Sequence, residues 1–314
     1  MSKTNLEISI VIPVYRSEAT LKKLVAIVHS ELSHLDFEVI LVNDYSPDNS
    51  WSIIQSLCEA YDNVSGINLR KNYGQHSAIM AGLQYSSGKT IIIMDDDLQH
   101  DPKYITTLHQ KILSGYDACF TNYLNRKHQI WKIMGSWFNN QIASILIQKP
   151  KDVYLSSFKA ISVELKNEII RYDGPFPYID GLILNLTKSI TTENIEHQER
   201  DDLKDSGYGI KKSLLLWMRM ATSFSVIPLR IAAFVGFLVS VCSFLLCIYF
   251  IWIKLSNGIE ISGWTSTIVV ILFLGGLQMF FTGIIGEFIG RSYLKLNKVP
   301  QYSIREKIGY VTKT

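Results

Sequence analysis

The sequence predicts an α/β domain built on a mostly parallel sheet, followed by a C-terminal two-helix transmembrane hairpin. Three observations carry this prediction. Short β-rich apolar runs alternate with amphipathic segments through the first part of the chain, the pattern of parallel strands covered by helices on both faces. One run, Ile91 to Met94, ends on three consecutive carboxylates, Asp95, Asp96 and Asp97, and the C-terminal ends of strands are where open α/β sheets bind ligands. Residues 231–253 and 264–286 are each apolar runs of 23 residues without a charged side chain.

Taken in order, strands are expected at Ile8 to Val14, Phe37 to Asn43, Val64 to Leu69, Thr90 to Asp95 and Tyr116 to Thr121. Helix-like spacing falls near residues 18–34, 48–61, 75–87 and 102–114, and Asp101-Pro102 reads as an N-cap followed by proline at the first helical position. Functional groups then converge at strand ends: Pro13, Tyr15 and Glu18 after the first, Asp44 after the second, Arg70 after the third, and the aspartates after the fourth. A hard divalent cation that bridges a nucleotide diphosphate needs only one or two protein carboxylates, which makes Asp95 and Asp97 its candidates. An acidic turn capping the next helix is the alternative for the same residues. Asp44 is placed to accept hydrogen bonds from a nucleobase or ribose, and its segment equally fits an ordinary turn. Tyr15 suits packing beside the base or simple rim packing. Gly74 precedes a helix whose N-terminus would attract phosphate, although backbone geometry alone explains a glycine there. No GxxxxGK[ST] loop occurs, nor a GxGxxG after the first strand, so kinase-like and NAD-binding readings find no support.

Each 23-residue apolar run spans roughly 34 Å as a helix, enough to cross a hydrocarbon core of about 30 Å. Lys211, Lys212, Arg219 and Arg230 precede the first, and Arg291, Lys295, Lys298, Arg305 and Lys307 follow the second. Basic flanks stay in the cytoplasm, so the large N-terminal region and the short tail are expected on that side. The N-terminus lacks the apolar segment of a signal peptide, leaving the hairpin as the membrane address. The expected division is a cytoplasmic domain over 1–208, an amphipathic juxtamembrane segment over 209–230, two spans within 231–290, and a cytoplasmic tail over 291–314. A second interfacial candidate runs from Trp131 to Ile145. Gly286 and Gly290 permit close helix contact, and Glu287 and Arg291 are spaced for a helical pair.

The net charge of +3 is mild, so the chain gives no reason to expect nucleic acid as a partner, and its basic residues gather where anionic lipid would attract them. Its four cysteines form no disulfide framework: Cys58 and Cys119 lie in the cytoplasmic part, Cys242 and Cys247 within the first span. About 230 residues precede the first span, enough for one domain with a full core.

Several motifs together resemble a known family. The run Ile10 to Tyr15, the Asn43-Asp44-x-Ser46-x-Asp48-x-Ser50 segment, Asn72 to Ala78, and Asp95-x-Asp97-Leu98-Gln99 are similar to GT-A fold (Rossmann-like) glycosyltransferases of family 2. Phe224-Ser225-x-x-Pro228-Leu229-Arg230, Gly263 to Ser266, and Gly283 to Arg291 resemble the membrane part of polyprenyl-phosphate glycosyltransferases. The stretch from Asn72 to Ala81 is especially similar to undecaprenyl-phosphate formamidoarabinose transferases, while dolichyl-phosphate mannose synthases share the catalytic domain.

The resemblance implies inverting transfer of one sugar from a nucleotide sugar, UDP-linked, to a membrane polyprenyl phosphate for modification of a cell-surface glycan. By motif, Pro13, Tyr15, Glu18, Asp44, Asp95 and Asp96 hold the nucleotide, and Asp95, Asp97 and Gln99 organise Mg²⁺ or Mn²⁺. Asp95, Asp97 and Arg200 are the catalytic candidates. Arg200, Lys204, Ser206, Tyr208, Lys159 and Asp180 are expected near the acceptor phosphate. The chain departs from the family pattern at Leu203 and Gly207, at Lys159 where an arginine is usual, and at Asp96 where alanine is common. A bacterial inner membrane location and a homo-oligomer, a tetramer among similar enzymes, follow from the same resemblance. A processive polysaccharide synthase is the alternative, although no Gln-x-x-Arg-Trp motif occurs. A catalytically inert, nucleotide-binding membrane scaffold is the other.

Overall fold

The computed structural model describes residues 6–123, 153–195, 227–257 and 263–309. Strands β1 (Ile8–Val14), β2 (Phe37–Asn43) and β3 (Val64–Leu69) are buried at every position, as strands covered on both faces must be. β1 pairs in parallel with β2, β2 with β3, and β4 (Thr90–Ile93) joins the free side of β1, also in parallel. Parallel neighbours need crossovers, supplied here by α1 (Leu21–Glu31), α2 (Ser50–Ala60) and α3 (Gln75–Tyr85). α3 is buried continuously from Ser77 to Leu83. Gly82 allows that close approach, since a Cβ there would stand 2.3 Å from Val11 Cγ1.

Beyond β4 the simple alternation ends. A 3₁₀ turn (Pro102–Tyr104) and α4 (Ile105–Leu113) lead to β5 (Ala118–Tyr123), which does not lie beside β4. Instead β6 (Lys159–Ser162) inserts between them, antiparallel to both. α5 (Val163–Ile169) and α6 (Ile179–Leu186) then lead to β7 (Ile190–Ile195), parallel to β5 at the sheet edge. At the other edge β8 (Ile304–Gly309) runs antiparallel to β3. Among the described residues the sheet has eight strands in the order β7-β5-β6-β4-β1-β2-β3-β8.

Expected and observed strands coincide at β1, β2 and β3. β4 stops two residues earlier than expected, which frees Met94 and Asp95 for the turn, and β5 lies two residues later. β8 has no counterpart among the expectations, which treat residues 291–314 as a tail. Its charged residues Arg305, Glu306 and Lys307 suit an edge strand and hide it from hydropathy.

One side of the sheet packs Ile10, Ile12 and Leu41 against Leu24, Val28 and Ile54 of α1 and α2. The other packs Ile40, Val42 and Ile67 against Ala78 and Ala81 of α3. Each fully buried side chain of this size contributes about 1.5–3 kcal/mol, so the strand ends are held by a rigid base.

Two compact units divide the chain, one of residues 1–207 and 298–314, the other of residues 208–297. The second contains α7 (Ile227–Asn257) and α8 (Trp264–Leu296), which include the two apolar runs and extend beyond them. Among the described residues Phe273–Leu296 is long and apolar enough to cross a membrane, whereas the apolar part of α7, Ala232–Leu246, is shorter. Phe234, Phe244, Trp252, Phe273 and Phe280 are between 63% and 67% exposed, an apolar surface that calls for an apolar medium or a partner.

Candidate active site

An open cavity of about 350 Å³ lies at the C-terminal ends of β1, β2 and β4. Its walls come from Pro13, Val14 and Tyr15, from Asp44, from Asn72, Gly74 and Gln75, and from Asp95, Asp96 and Asp97. Backbone strain marks the same place. Arg16 (φ 60°), Tyr45 (φ 54°) and Leu98 (φ 61°) each sit in the loop after one of these strands, and they are three of the four described non-glycine residues in the left-handed region. Such conformations persist where the surroundings over-determine them, and functional loops are the usual setting.

Asp44 fixes the far wall. Its Oδ1 accepts from the Tyr73 N–H at 2.7 Å and its Oδ2 from the Gly74 N–H at 2.8 Å. Gly74 adopts φ +90°, which a side chain would strain, and so can turn its N–H to the carboxylate as α3 begins. The two amides that lead into α3 are therefore already satisfied by an anion of the protein itself. Burial pushes the Asp44 carboxyl above its ordinary range, against the pull of the two amides. Each oxygen keeps a second lone pair for a ligand.

The aspartate run follows from β4 stopping early. Asp95 Oδ1 accepts from Gln75 Nε2 at 2.6 Å, and Oδ2 lies 3.7 Å from His100 Nε2. Burial works against its charge, but hydrogen bonds from His100 and Ser157 and the fields of His100 and Lys159 prevail and hold it below the usual carboxylate range. Asp97 Oδ1 accepts from the Gln99 N–H at 3.1 Å, closing the turn. Asp96 points back to the loop after β1, where its Oδ2 accepts from the Tyr15 N–H at 3.2 Å and from the Ser17 hydroxyl. Burial, with Asp95 and Asp97 on either side, pushes its carboxyl up to about 6 despite those two bonds.

Glu18 does not line the cavity. Its Oε2 accepts from the Asn49 N–H at 2.9 Å at the start of α2, while its own N–H donates to Asp48 Oδ2 at 3.2 Å. This reciprocal clamp ties the β1–α1 loop to the β2–α2 loop. Lys159 and Asp180 form a close, buried ion pair with each other, and the Lys159 ammonium lies 5.2 Å from the Phe120 ring centroid. Nearby, the His76 ring meets Tyr178 edge-on at 5.0 Å. Its buried Nδ1 has no partner among the described residues, and burial pulls its pKa down, keeping the ring neutral.

Thus Pro13, Tyr15, Asp44, Asp95, Asp96 and Asp97 meet at one cavity, whereas Glu18, Gln99, Lys159 and Asp180 do not line it. Arg200, Lys204, Ser206 and Tyr208 lie outside the described residues, as does the Trp131 to Ile145 segment. The sequence alone does not single out Asn72, Gln75, Ser17, His100 or Ser157 as site residues. The only signal for the first two is the Asn72 to Ala78 motif. Asp95 and Asp97 supply hard, oxygen-only donors suited to Mg²⁺ or Mn²⁺. Both line the cavity; among the described residues no group of three or more His, Cys, Asp or Glu side chains is gathered for a metal.

The model for Glycosyl transferase family 2 matches residues 9–169. A Bacillus subtilis (strain 168) glycosyltransferase, YkcC, is 28% identical over 98% of this chain and 96% of its own length. The undecaprenyl-phosphate 4-deoxy-4-formamido-L-arabinose transferases of Proteus mirabilis and Aeromonas hydrophila are each 31% identical, covering 96% and 99% of this chain and 94% and 97% of their own lengths. Among solved structures, Mycobacterium tuberculosis glucosyl-3-phosphoglycerate synthase in complex with Mn²⁺, UDP-glucose and phosphoglyceric acid superimposes with a TM-score of 0.50 at 18% identity, over 71% of this chain and 79% of that one. A second structure of that enzyme, with phosphoglyceric acid, gives 0.51 at 17% identity, over 71% of this chain and 80% of that one. At that identity the likeness is one of fold.

Proposed function

The chain belongs to glycosyl transferase family 2, and on that premise we propose that it moves a single sugar from a UDP-sugar to the phosphate of a membrane polyprenol. The observation that carries this reading is the near full-length match, including the two-helix unit, to transferases named for undecaprenyl phosphate. The aspartate-lined cavity supplies the matching chemistry.

Tyr15, 44% exposed on the cavity rim, offers its ring to the base, and Asp44 accepts from base or ribose. Asp95 and Asp97 would hold Mg²⁺ or Mn²⁺, which would supply Lewis-acid stabilisation of the departing UDP. Gln75 fixes the Asp95 carboxylate for that task. Asp96 serves the nucleotide by holding the Tyr15 loop in place.

The acceptor phosphate, with a second pKa of about 6, is a dianion at cytoplasmic pH. Its oxygen attacks the anomeric carbon opposite the UDP; a new C–O bond forms as the old one breaks, and the electron pair leaves with the diphosphate. One displacement inverts the anomeric centre, and no general base is needed. Because Asp180 neutralises Lys159, binding the acceptor anion falls to Arg200, Lys204, Ser206 and Tyr208. α7 and α8 would anchor the domain at the cytoplasmic face of a bacterial inner membrane, with both termini inside.

Release of UDP from UDP-sugars, measured in vesicles with and without undecaprenyl phosphate, tests the acceptor. Release only when the lipid is present is the expected result. Equal release without lipid would mean hydrolysis, and would overturn the assignment.

A further inference from the structure

The strand register places four residues in one row across the sheet: Val14 opposite Asn43, Asn43 opposite Asn68, and Asn68 opposite Glu306. The row lies at the C-terminal ends of β1, β2 and β3, where the cavity opens. Along it, Asn68 Nδ2 donates to Glu306 Oε1 at 3.1 Å, and Asn43 Nδ2 donates to Asn68 Oδ1 at 2.9 Å. Asn43 Oδ1 in turn accepts from the Ser46 N–H at 3.3 Å, and Ser46 Oγ accepts from the Arg16 N–H at 2.8 Å. Arg16 and Ser46 belong to the two strained loops that carry Tyr15 and Asp44.

A side-chain amide has one donor end and one acceptor end, so a chain of amides has two possible polarities. Asn43 and Asn68 are 2% and 6% exposed, which leaves little water to satisfy an amide turned the wrong way. A carboxylate only accepts. Glu306 therefore compels Asn68 to present its donor to β8 and its acceptor to Asn43, which in turn leaves the Asn43 acceptor for Ser46. The irregularity in pairing between β3 and β8 falls at Asn68 and Leu69, and bulges of this kind re-aim side chains beside active sites.

We infer that Glu306, on the strand that follows the second long helix, is a positioning residue that sets the polarity of a Glu306–Asn68–Asn43–Ser46 hydrogen-bond relay and so holds the nucleotide loops in their binding geometry. The relay itself is independent of what the cavity binds. Only its consequence for ligand affinity rests on the nucleotide reading.

The test compares four full-length proteins in detergent: wild type, Glu306→Gln, Glu306→Lys, and Glu306→Lys combined with Asn68→Asp. Gln keeps an acceptor and should behave as wild type. Lys offers only donors and should turn both amides, setting the Asn43 amino group against the Ser46 N–H. In the double variant the carboxylate introduced on β3 accepts both from the ammonium introduced on β8 and from Asn43, which restores the polarity.

Hydrogen exchange without nucleotide should show the segment 44–50 exchanging about tenfold faster in Glu306→Lys alone, with protection recovered in the double variant. UDP affinity should follow the same order, with about a tenfold loss and its recovery. Unchanged exchange of residues 44–50 in Glu306→Lys, or a failure of Asn68→Asp to restore it, would overturn the relay. If exchange follows the expected order but wild type binds no UDP, the relay stands and the nucleotide reading fails.

Discussion

Asp96 carries a carboxyl whose environment strongly resists ionisation. Its folded pKa is about 6 against an ordinary value of 3.8. Between those values the folded protein keeps a proton that the unfolded chain has lost, so stability falls as pH rises through that window and stays low above it. The difference is on the order of 3 kcal/mol. Asp96→Asn can still accept from Ser17 and Tyr15 without the charge. In thermal unfolding free of divalent metal it should melt several degrees above wild type at pH 8 and close to it at pH 4; equal melting at pH 8 would contradict the assignment. The Lys159–Asp180 pair makes a second test. Removing one member strands a buried charge, so Asp180→Asn should cost about 3–5 kcal/mol in denaturant unfolding, whereas Lys159→Met with Asp180→Leu should recover most of it. The carboxylates themselves were legible because they end an apolar run. The pairing of Lys159 with Asp180, and of Gln75 with Asp95, was not, because each joins residues some 20 positions apart that only the fold brings together.

At the scale of elements, β1, β2 and β3 were readable because strands buried on both faces are continuous apolar runs between turn residues. α3 was readable for its length but not for its closeness to the sheet, which depends on Gly82 meeting Val11. Gly82→Val should therefore lose about 1–3 kcal/mol of stability by forcing α3 away from β1, measured by denaturant midpoint. A midpoint equal to wild type would mean that the interface is slack. The family resemblance implies a nucleotide role for Asp44 but does not foresee that both its oxygens hold the start of α3. β6 is not legible as an inserted antiparallel strand because four residues carry too little pattern. The sequence hides β8 for a different reason, since the consecutive charges of Arg305, Glu306 and Lys307 suit a sheet edge and mask any alternation.

The whole molecule joins a sheet domain to a two-helix unit, and the last strand of the sheet comes from beyond the second helix. Both ends of the helical unit connect to the same compact unit, and in the proposed topology both connections lie on the cytoplasmic side. In a cysteine-free background, Ser256→Cys should react with an impermeant maleimide added to intact cells, and Thr4→Cys only after permeabilisation. The reverse order would contradict the proposed topology. The proposed reaction places one sugar on a polyprenyl phosphate at the cavity bearing Asp95 and Asp97. Its most direct test is mass spectrometry of the lipid formed from undecaprenyl phosphate, Mg²⁺ or Mn²⁺ and a panel of UDP-sugars, with Asp97→Asn alongside. One added sugar per lipid, at least about a hundredfold less with Asp97→Asn although that variant is equally abundant in the membrane, is the predicted result. A ladder of successive sugars, or undiminished product from Asp97→Asn, would contradict it.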